Sequence, residues 1–411
     1  MLIVVVFHSL LWQVLLVDGQ VRVVPWAPGP VFWAISWVAT IIPVFFVAAG
    51  YANAVVVDTW RRSGTSYGAF LTLRGSRLLG PLSLFMIAFT VAGTGAAWAG
   101  WLPQSAALSR QFAQLLWFAV VYQLLLATAP LAVWLHDRAG AWLMAALLAG
   151  VVVVDAAVRL TGQVSLQWVN LAFAWPLAHQ WGVAYHRGWF RSWPVRRSLG
   201  VLAASVALIV ALVFGLHYPP AAVAWADVLV ANLQPPTLAI VALGLAQACV
   251  LGLLEQAGVA GHLRQRTDDL VRLANALLLT VYLWHIPVIV VSAAALLGLA
   301  LLLPAAAPVL MNPLLLLVVV LALVAVIAPL VARLEVRLIP RPGPGDPRPG
   351  WAEAAFALFT LGTWAVWQCG AVLHPGDPPA AASVVAFLTG AVLLRAATTR
   401  TDAPPAKGAL P

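Results

Sequence analysis

Residues 314–332 read LLLLVVVLALVAVIAPLVA, a run of 19 residues without one charged or hydrogen-bonding side chain. A run of this length and apolarity can cross the hydrocarbon core of a bilayer as a single helix. Eleven further apolar runs, bounded by Gly, Pro or Arg clusters, complete a set of twelve predicted spans, which are 1–17, 37–57, 81–101, 112–135, 142–160, 167–185, 199–217, 235–254, 271–296, 314–332, 351–371 and 380–395. The runs are continuous rather than alternating, so we predict an all-α polytopic transmembrane helix bundle with a ten-helix core and two C-terminal helices.

The composition excludes several classes of protein. Of the 411 residues, 63% are hydrophobic and 9% are charged, whereas typical soluble domains carry about 25% charged residues. A soluble enzyme, a disordered chain and a nucleic-acid-binding protein therefore fit poorly, and we expect no nucleic-acid partner. Cys249 and Cys369 both fall inside apolar runs, which argues against a disulfide framework and against a metal site.

The distribution of basic residues predicts the topology. With the N-terminus placed inside, 19 of the 22 Arg and Lys residues fall on the inner side, and Arg22, Arg110 and Arg159 fall on the outer side. Cytoplasmic loops carry such an excess of positive charge. We therefore predict a multi-pass protein of the plasma membrane with both termini in the cytoplasm.

A Pro- and Gly-rich segment divides the predicted spans. Residues 340–350 read PRPGPGDPRPG, which cannot continue a helix. We expect a transmembrane domain at 1–339, a cytoplasmic linker at 340–350, a C-terminal helix pair at 351–395 and a disordered cytoplasmic tail at 396–411.

Polar side chains inside the predicted spans are the candidate functional residues, because burying them in a bilayer is costly. They occur in the first, second, sixth and ninth spans, and we predict that those outside the first span line a cavity. These residues are His8, Tyr51, Asn53, His179, Gln180, Asn275, Tyr282 and His285. Gly50, beside Tyr51, predicts a close contact between two helices.

From the sequence alone, two alternative roles can be assigned to the histidines. His8 can be a general base, since a neutral imidazole accepts a proton near working pH, or a structural histidine hydrogen-bonded inside the bundle. The same alternatives hold for His285, which shares a helical face with Tyr282 and Asn275 in a polar stripe that continues down to Arg272. For His179, a structural hydrogen bond between helices explains the buried position at least as well as a catalytic role does.

Arg74 and Arg77 lie three residues apart, so on a helix both guanidiniums point the same way. Two planar donor groups on one face suit a phosphate-bearing ligand. The alternative is that both residues only contribute to the excess of positive charge on the cytoplasmic side.

The chain resembles the acyltransferase 3 family of polytopic membrane acyltransferases, especially actinobacterial members. The resemblance extends through roughly residues 1–340 and is carried by seven short motifs in the family's order. They are VVVFH ending at His8, PVFF from Pro43 with GYAN at 50–53, Arg74-x-x-Arg77 before Gly80-Pro81, Trp117-Phe118, HQWG at 179–182, PPT at 235–237, and YLWH at 282–285.

The resemblance implies a ten-helix domain that transfers an acyl group, often acetyl, from cytoplasmic acyl-CoA to a hydroxyl of an extracytoplasmic or membrane-associated glycan, lipid or metabolite. It assigns catalysis to His8 and acyl-CoA binding to Arg74 and Arg77. Our own hypothesis adds His285 as a second catalytic residue, which with Tyr282 orients the acceptor or stabilises an oxyanion. Acyl-CoA is then a substrate, and we expect no bound cofactor and no metal. The family also places an arginine several residues before the histidine, so we expect residues upstream of Met1.

Two other functions are compatible with the same pattern. A transporter or flippase for a polar or lipid-linked solute also has many spans, a polar stripe and both termini inside, although we find no inverted repeat. A structural helix bundle would leave His8 and the polar stripe unexplained. The acceptor, the acyl chain length and the oligomeric state do not follow from the sequence.

Overall fold

The computed structural model describes residues 1–17, 20–25, 29–223, 232–259, 265–343 and 345–399. It is 83% helical, and eight of the described helical segments are long and apolar enough to cross a membrane. The prediction of an all-α polytopic helix bundle is therefore confirmed.

The helices of the described residues are α1 (Leu2–Leu11), α2 (Gly29–Ala39), α3 (Ile42–Ser63), α4 (Tyr67–Ala96), α5 (Leu102–Ala113), α6 (Leu116–Thr161), α7 (Leu171–His186), α8 (Trp189–Ser192), α9 (Val195–Val210), α10 (Leu238–Gln256), α11 (Gln265–Ala276), α12 (Leu278–Leu302), α13 (Ala307–Leu310), α14 (Pro313–Leu338), α15 (Trp351–Cys369) and α16 (Pro378–Thr399). Two strands, β1 (Trp12–Val17) and β2 (Gln20–Pro25), follow α1.

The first predicted span, 1–17, is wrong in its second half. Helix α1 ends at Leu11, and β1 pairs with β2 in an antiparallel hairpin whose register joins Trp12 to Pro25 and Val17 to Gln20. Both strands are rich in valine, which favours extended backbone when a partner strand is at hand. A short apolar run of this kind does not by itself distinguish strand from helix.

The later predicted spans each overlap a helix. The fourth and fifth spans, 112–135 and 142–160, fall on the single long helix α6, which is broken at Ala139 (φ −150°, ψ 39°). Helix α4 begins at Tyr67, well before the predicted 81, so that it includes Arg74 and Arg77. Both arginines therefore lie within a helix of the bundle rather than in a connecting loop.

Helices α3 and α7 cross closely enough to exclude any side chain at two glycines. A Cβ added to Gly50 would overlap the carbonyl oxygen of His179, and one added to Gly182 would overlap the carbonyl oxygen of Val47. The predicted close contact at Gly50 is confirmed. The crossing holds Phe46 against Trp175, with ring centroids 4.6 Å apart, in the main core.

Helices α15 and α16 cross in the same manner, because Gly362 faces the backbone of Phe387 and Gly390 faces that of Phe359. The pair packs on α4, α5 and α6. Helix α16 runs to Thr399, so residues 396–399 are helical and not part of a tail. The predicted tail from 400 to 411 lies outside the described residues.

A buried carboxylate near the end of α6 ties three segments together. Oδ1 of Asp155 accepts hydrogen bonds from the side-chain amides of Gln167 (2.6 Å) and Asn170 (2.7 Å). Oδ2 accepts from the hydroxyl of Tyr218 (2.7 Å) and from the backbone N–H of Leu238 (2.8 Å). Burial, followed by the bond to Asp155, raises the pKa of Tyr218. This cluster fixes the start of α10 and the residues just before it.

At the opposite end of the bundle, Arg187 joins α3 and α6. Its guanidinium donates to Asp58 (2.6 Å) and Asp137 (2.8 Å), and Asp137 also accepts from Arg61 (3.0 Å). Hydrogen bonds to Asp58 and then Asp137 raise the pKa of Arg187 further above its usual range. The charged side chains at this end of the bundle therefore form a network near the ends of the apolar helices.

Candidate active site

Helices α1 and α12 bring together two histidines that are 277 positions apart in the sequence. Nδ1 of His8 lies 3.2 Å from Nε2 of His285, and the ring centroids are 5.0 Å apart. His285 is fully buried, whereas His8 is partly accessible. The two candidates from the first and ninth predicted spans therefore form one pair.

The backbone around His285 fixes the protonation pattern of this pair. Nδ1 of His285 lies 2.7 Å from the carbonyl oxygen of Tyr282 and 3.1 Å from that of Val281. A carbonyl oxygen only accepts, so in the neutral ring this nitrogen carries the proton and Nε2 is an acceptor. With Nδ1 of His8 donating to His285, Nε2 of His8 is the acceptor nitrogen; the His8 ring also hydrogen-bonds the backbone of Val4. We assign these tautomers from the hydrogen-bond network.

His8 faces a cavity of about 460 Å³ that is lined by parts of α1, α5, α6 and α12, by the segment between α2 and α3, and by residues before α10. Its lining is mainly apolar, with a few polar groups. They include Thr40, Gln114 and Gln234 on connecting segments and Gln111 in the last turn of α5. A largely apolar cavity with a few polar groups and a histidine is the usual form of a small-molecule site.

Tyr282 also lines this cavity, and the proton of its hydroxyl is used in a hydrogen bond to the protein backbone. Its hydroxyl donates to the carbonyl oxygen of Leu115 at 2.8 Å, and its ring lies 5.0 Å from that of Phe118. In this arrangement the Tyr282 hydroxyl can accept a hydrogen bond from a ligand. The tyrosine also ties α12 to the first turn of α6.

Arg74 connects to the same cavity through a short series of aromatic rings. Its side chain is half-buried and hydrogen-bonds the side chain of Tyr122, whose ring lies 6.5 Å from Phe118. Phe118 in turn contacts Tyr282 in the wall of the cavity. Arg77 is one turn further along α4 and is exposed.

The arginines and the histidine pair lie at different depths in the bundle. Along α6, Tyr122 next to Arg74 is seven residues from Leu115 next to Tyr282, which is about 10 Å at 1.5 Å per residue. Along α4, Arg77 precedes Phe85 by eight residues, about 12 Å, and Phe85 contacts Trp284 with ring centroids 5.9 Å apart. Along either helix, the arginines are therefore offset by about 10 Å or more from residues that neighbour α12.

Four of the other candidate residues lie elsewhere, three of them in the core between α3, α6 and α7 and one at the surface. Asn53 and His179 are fully buried and hydrogen-bond each other at 3.1 Å. Gln180 bonds His136 at 2.8 Å, whereas Tyr51 is exposed at the surface of α3. None of the four is in the lining of the histidine cavity.

The predicted polar stripe from Arg272 through Asn275 to Tyr282 is interrupted. Asn275 belongs to α11, a separate helix that ends at Ala276, and it is exposed. Tyr282 lies beyond the junction at Leu277, in α12, and is buried. Backbone hydrogen bonds continue across Leu277, from its N–H to the Leu273 carbonyl and from the Val281 N–H to the Leu277 carbonyl. The stripe is therefore interrupted by burial: Asn275 is exposed and is not in the lining of the histidine cavity, whereas Tyr282 is.

Two buried acids were missed by the sequence reasoning. One is Asp155, described above, and the other is Glu335 in α14, which is 3% exposed and accepts from the Thr280 hydroxyl at 2.5 Å. Both are acids at or beside the edge of an apolar run, so the rule applied to the histidines would have found them. Among the described residues no group of three or more His, Cys, Asp or Glu side chains could hold a metal ion.

Comparison with known proteins agrees with this architecture. A family model described as an acyltransferase domain matches residues 1–333, about four-fifths of the chain. Neither the curated proteins nor the solved structures include a match to the chain. The matched region contains both histidines of the pair and both arginines of α4. The chain therefore belongs to the acyltransferase 3 family of membrane acyltransferases.

Proposed function

We propose that the protein is an acyl-CoA-dependent O-acyltransferase that moves an acyl group, in the first place acetyl, to a hydroxyl of an extracytoplasmic or membrane-associated glycan, lipid or metabolite. The observation that carries the proposal is the His8–His285 pair at the cavity. A general base needs one nitrogen held in place and the other free to accept a proton. His8 has this arrangement, because His285 holds its Nδ1 and leaves Nε2 as the acceptor.

In the proposed reaction, Nε2 of His8 removes the proton of the acceptor hydroxyl while the hydroxyl oxygen attacks the thioester carbonyl carbon. A C–O bond forms, the C–S bond breaks, and the sulfur of CoA leaves as a thiolate with the bonding electron pair. The imidazolium of His8 returns its proton to the thiolate, which regenerates the neutral base. The steps are written for direct transfer from donor to acceptor.

His285 is a positioning residue in this scheme rather than an oxyanion donor. It has no nitrogen free for a ligand, since Nδ1 is bound to the Tyr282 carbonyl and Nε2 accepts from His8. When His8 takes up a proton, its Nδ1–H becomes a charged donor, and hydrogen bonds with a charged partner are the stronger ones. The pair thus stabilises the imidazolium that the reaction forms.

Arg74 and Arg77 would hold the phosphates of the acyl-CoA donor. Guanidinium groups bind phosphate through paired hydrogen bonds, and the two residues share one side of α4. The arginines lie about 10–12 Å from the histidine pair along the helix axes. This distance fits a long ligand whose phosphates bind at the arginines while its thioester reaches His8. The contact of Arg74 with Tyr122 supports a path from one to the other.

The proposed topology has both termini in the cytoplasm and the protein in the plasma membrane, as the bias of the basic residues favours. The arginines then lie nearer the cytoplasmic side, because α3 ends beyond them at Arg61 and Arg62. The cavity of His8 lies nearer the outer side. Donor and acceptor would therefore approach the reaction centre from opposite sides of the membrane.

We also propose that residues 1–339 form the transferase unit and that α15 and α16 are an addition to it. The family model ends at residue 333, before the linker at 340–350. Residues 351–395, which begin with α15, pack on the outside of α4, α5 and α6 and contribute no residue to the histidine cavity. The pair is positioned to stabilise α4, the helix that carries the arginines.

The proposal is tested by incubating the purified protein in lipid nanodiscs with acetyl-CoA labelled in the acetyl group. Release of free CoA and appearance of the label in acceptor or lipid fractions are expected. His8→Ala should lower the rate by roughly 10²–10⁴-fold. His374→Ala is the matched control, since His374 lies in the α15–α16 loop beside Trp98, and should leave the rate unchanged. Full activity of His8→Ala, or no turnover by the unaltered protein, would overturn the proposal.

A further inference from the structure

A second cavity, larger than the first, opens between α2, α3, α9 and α10. It measures about 950 Å³ and is lined by Val, Leu, Ile, Ala, Phe, Trp and Pro side chains, with Gln247 the one polar residue among the described lining residues. No charged side chain occurs in that lining. Its volume is at the upper end of the range for pockets that bind small molecules.

The surroundings of this cavity are apolar as well. The helices that form it belong to three of the segments that are long and apolar enough to cross a membrane, Gly29–Ser63, Val195–Gly215 and Leu238–Gln256. Lining residues such as Val38, Val206 and Phe214 are also largely exposed. In a bilayer such an open, uncharged cavity is filled by hydrocarbon rather than by water.

One thin segment separates this cavity from the histidine cavity. Ile41, in the non-helical junction between α2 and α3, lines both of them. Thr40 beside it lines the histidine cavity, and its carbonyl oxygen accepts a hydrogen bond of 2.7 Å from Gln247, which lines the apolar cavity. A molecule whose chain lies on one side of Ile41 can therefore place its polar end on the side of His8.

We propose that the apolar cavity binds the hydrocarbon chain of the acceptor, so that the acceptor is a lipid or a lipid-linked molecule whose hydroxyl-bearing end enters the histidine cavity. This inference rests on the proposed acyltransferase function. The acceptor is favoured over the acyl chain of the donor because Arg74 reaches the histidine cavity through the wall formed by α6 and α12, whereas no residue of α6 or α12 lines the apolar cavity. Helix α4 packs against α12, which carries His285, and against α14.

Photolabelling tests the site without any acyl transfer. The probe is dodecyl β-glucoside with a diazirine in its alkyl chain, added to the full-length protein in lipid nanodiscs, and the labelled peptides are identified by mass spectrometry. Label is expected on α9 and α10, with competition by unlabelled dodecyl β-glucoside and none by methyl β-glucoside. Competition by dodecanoyl-CoA but not by dodecyl β-glucoside would assign the cavity to the donor and overturn the inference.

Two tryptophan variants on α9 separate this site from ordinary lipid contact. Val206 lines the cavity, whereas Leu208 is exposed to a similar extent on the same helix and is not in the lining. Each methylene displaced from an apolar site weakens binding by about fourfold. Val206→Trp should therefore reduce labelling by roughly tenfold or more, and Leu208→Trp should leave it unchanged. Equal labelling of both variants would show lipid contact only and refute the site.

The two proposals can fail separately. A protein that transfers acetyl groups but is not labelled at α9 and α10 would remove the hydrocarbon site and keep the enzyme. A protein that is labelled and competed as expected, yet releases no CoA from acetyl-CoA, would remove the assignment of the bound chain to an acyl acceptor.

Discussion

Replacing His285 by leucine tests the assignment of the histidine pair most directly. Leucine fills a similar volume but cannot accept the hydrogen bond from Nδ1 of His8. Glutamine is the matched variant, because its amide can donate towards the Tyr282 carbonyl and accept from His8 as the imidazole does. If His285 acts by holding His8, the leucine variant should be impaired and the glutamine variant should recover most of the activity.

The expected loss of kcat in His285→Leu follows from the change of charge on His8 during the reaction. A hydrogen bond between neutral groups contributes about 0.5–1.5 kcal/mol, and one with a charged partner about 1.5–3 kcal/mol. The bond to His285 therefore strengthens by roughly 1–1.5 kcal/mol as the imidazolium forms, which corresponds to a factor of about 5–13 in rate. Loss of the fixed tautomer adds a factor of about two if both forms of His8 become equally populated. We expect kcat to fall by about 10- to 25-fold in His285→Leu.

The assay is the initial rate of CoA release at varied acetyl-CoA, for both variants and for His8→Ala with and without His285→Leu. Residues that act as one unit show non-additive effects, so the double variant should be no slower than His8→Ala alone. The KM for acetyl-CoA should stay unchanged, because His285 does not touch the donor. If His285→Leu retained the full kcat while His8→Ala lost it, the positioning role would be refuted.

Three further changes have defined outcomes. Gly182→Ala should lower the free energy of unfolding by about 1–3 kcal/mol, because its methyl group overlaps the backbone of α3. Gly200→Ala is the control and should leave the stability unchanged, because there is open space around Gly200. Thermal unfolding in detergent distinguishes the two variants. Asp155→Ala should cost about 2–6 kcal/mol, since the Tyr218 hydroxyl and the Leu238 N–H lose their acceptor while Gln167 and Asn170 keep only the Pro236 carbonyl, and retention of the normal unfolding temperature would contradict this. Arg74→Ala with Arg77→Ala should raise the KM for acetyl-CoA by about tenfold or more, with partial recovery in the paired Lys variant; an unchanged KM would exclude phosphate binding.

Much of the fold follows from local properties of the sequence. A span such as 314–332 is recognisable because length and continuous apolarity are contained within the segment itself. The same reasoning fails at 12–17, where the outcome depends on a partner strand after the turn. Likewise, the break at Ala139 falls between two predicted spans, whereas the exposure of Asn275 could not be predicted from its spacing to Tyr282, because it depends on which neighbours pack against that end of the helix.

The candidate site could be predicted in its parts but not in its arrangement. His8 and His285 stand out singly because each is a polar residue in an apolar run. Their contact could not be read from spacing, since it depends on how α1 and α12 pack. The same holds for Asn53 and His179, which the sequence marks as candidates equally well and which instead bind each other in the core. The catalytic roles of all these residues stay predictions.

The depth of the arginines limits what they can contribute to the chemistry. At least about 10 Å separates them from the histidine pair along the helix axes. At an effective dielectric constant of about 20, a unit charge at 10–12 Å interacts with a developing oxyanion by about 1.5 kcal/mol, or roughly tenfold in rate. A donor in direct contact with an oxyanion is worth about 10²–10³-fold. Arg74 and Arg77 therefore act mainly by holding the donor, which is why their loss should change KM more than kcat. A kcat effect of 10²-fold or more with an unchanged KM would instead place them at the reacting carbonyl and contradict the separation seen along α4 and α6.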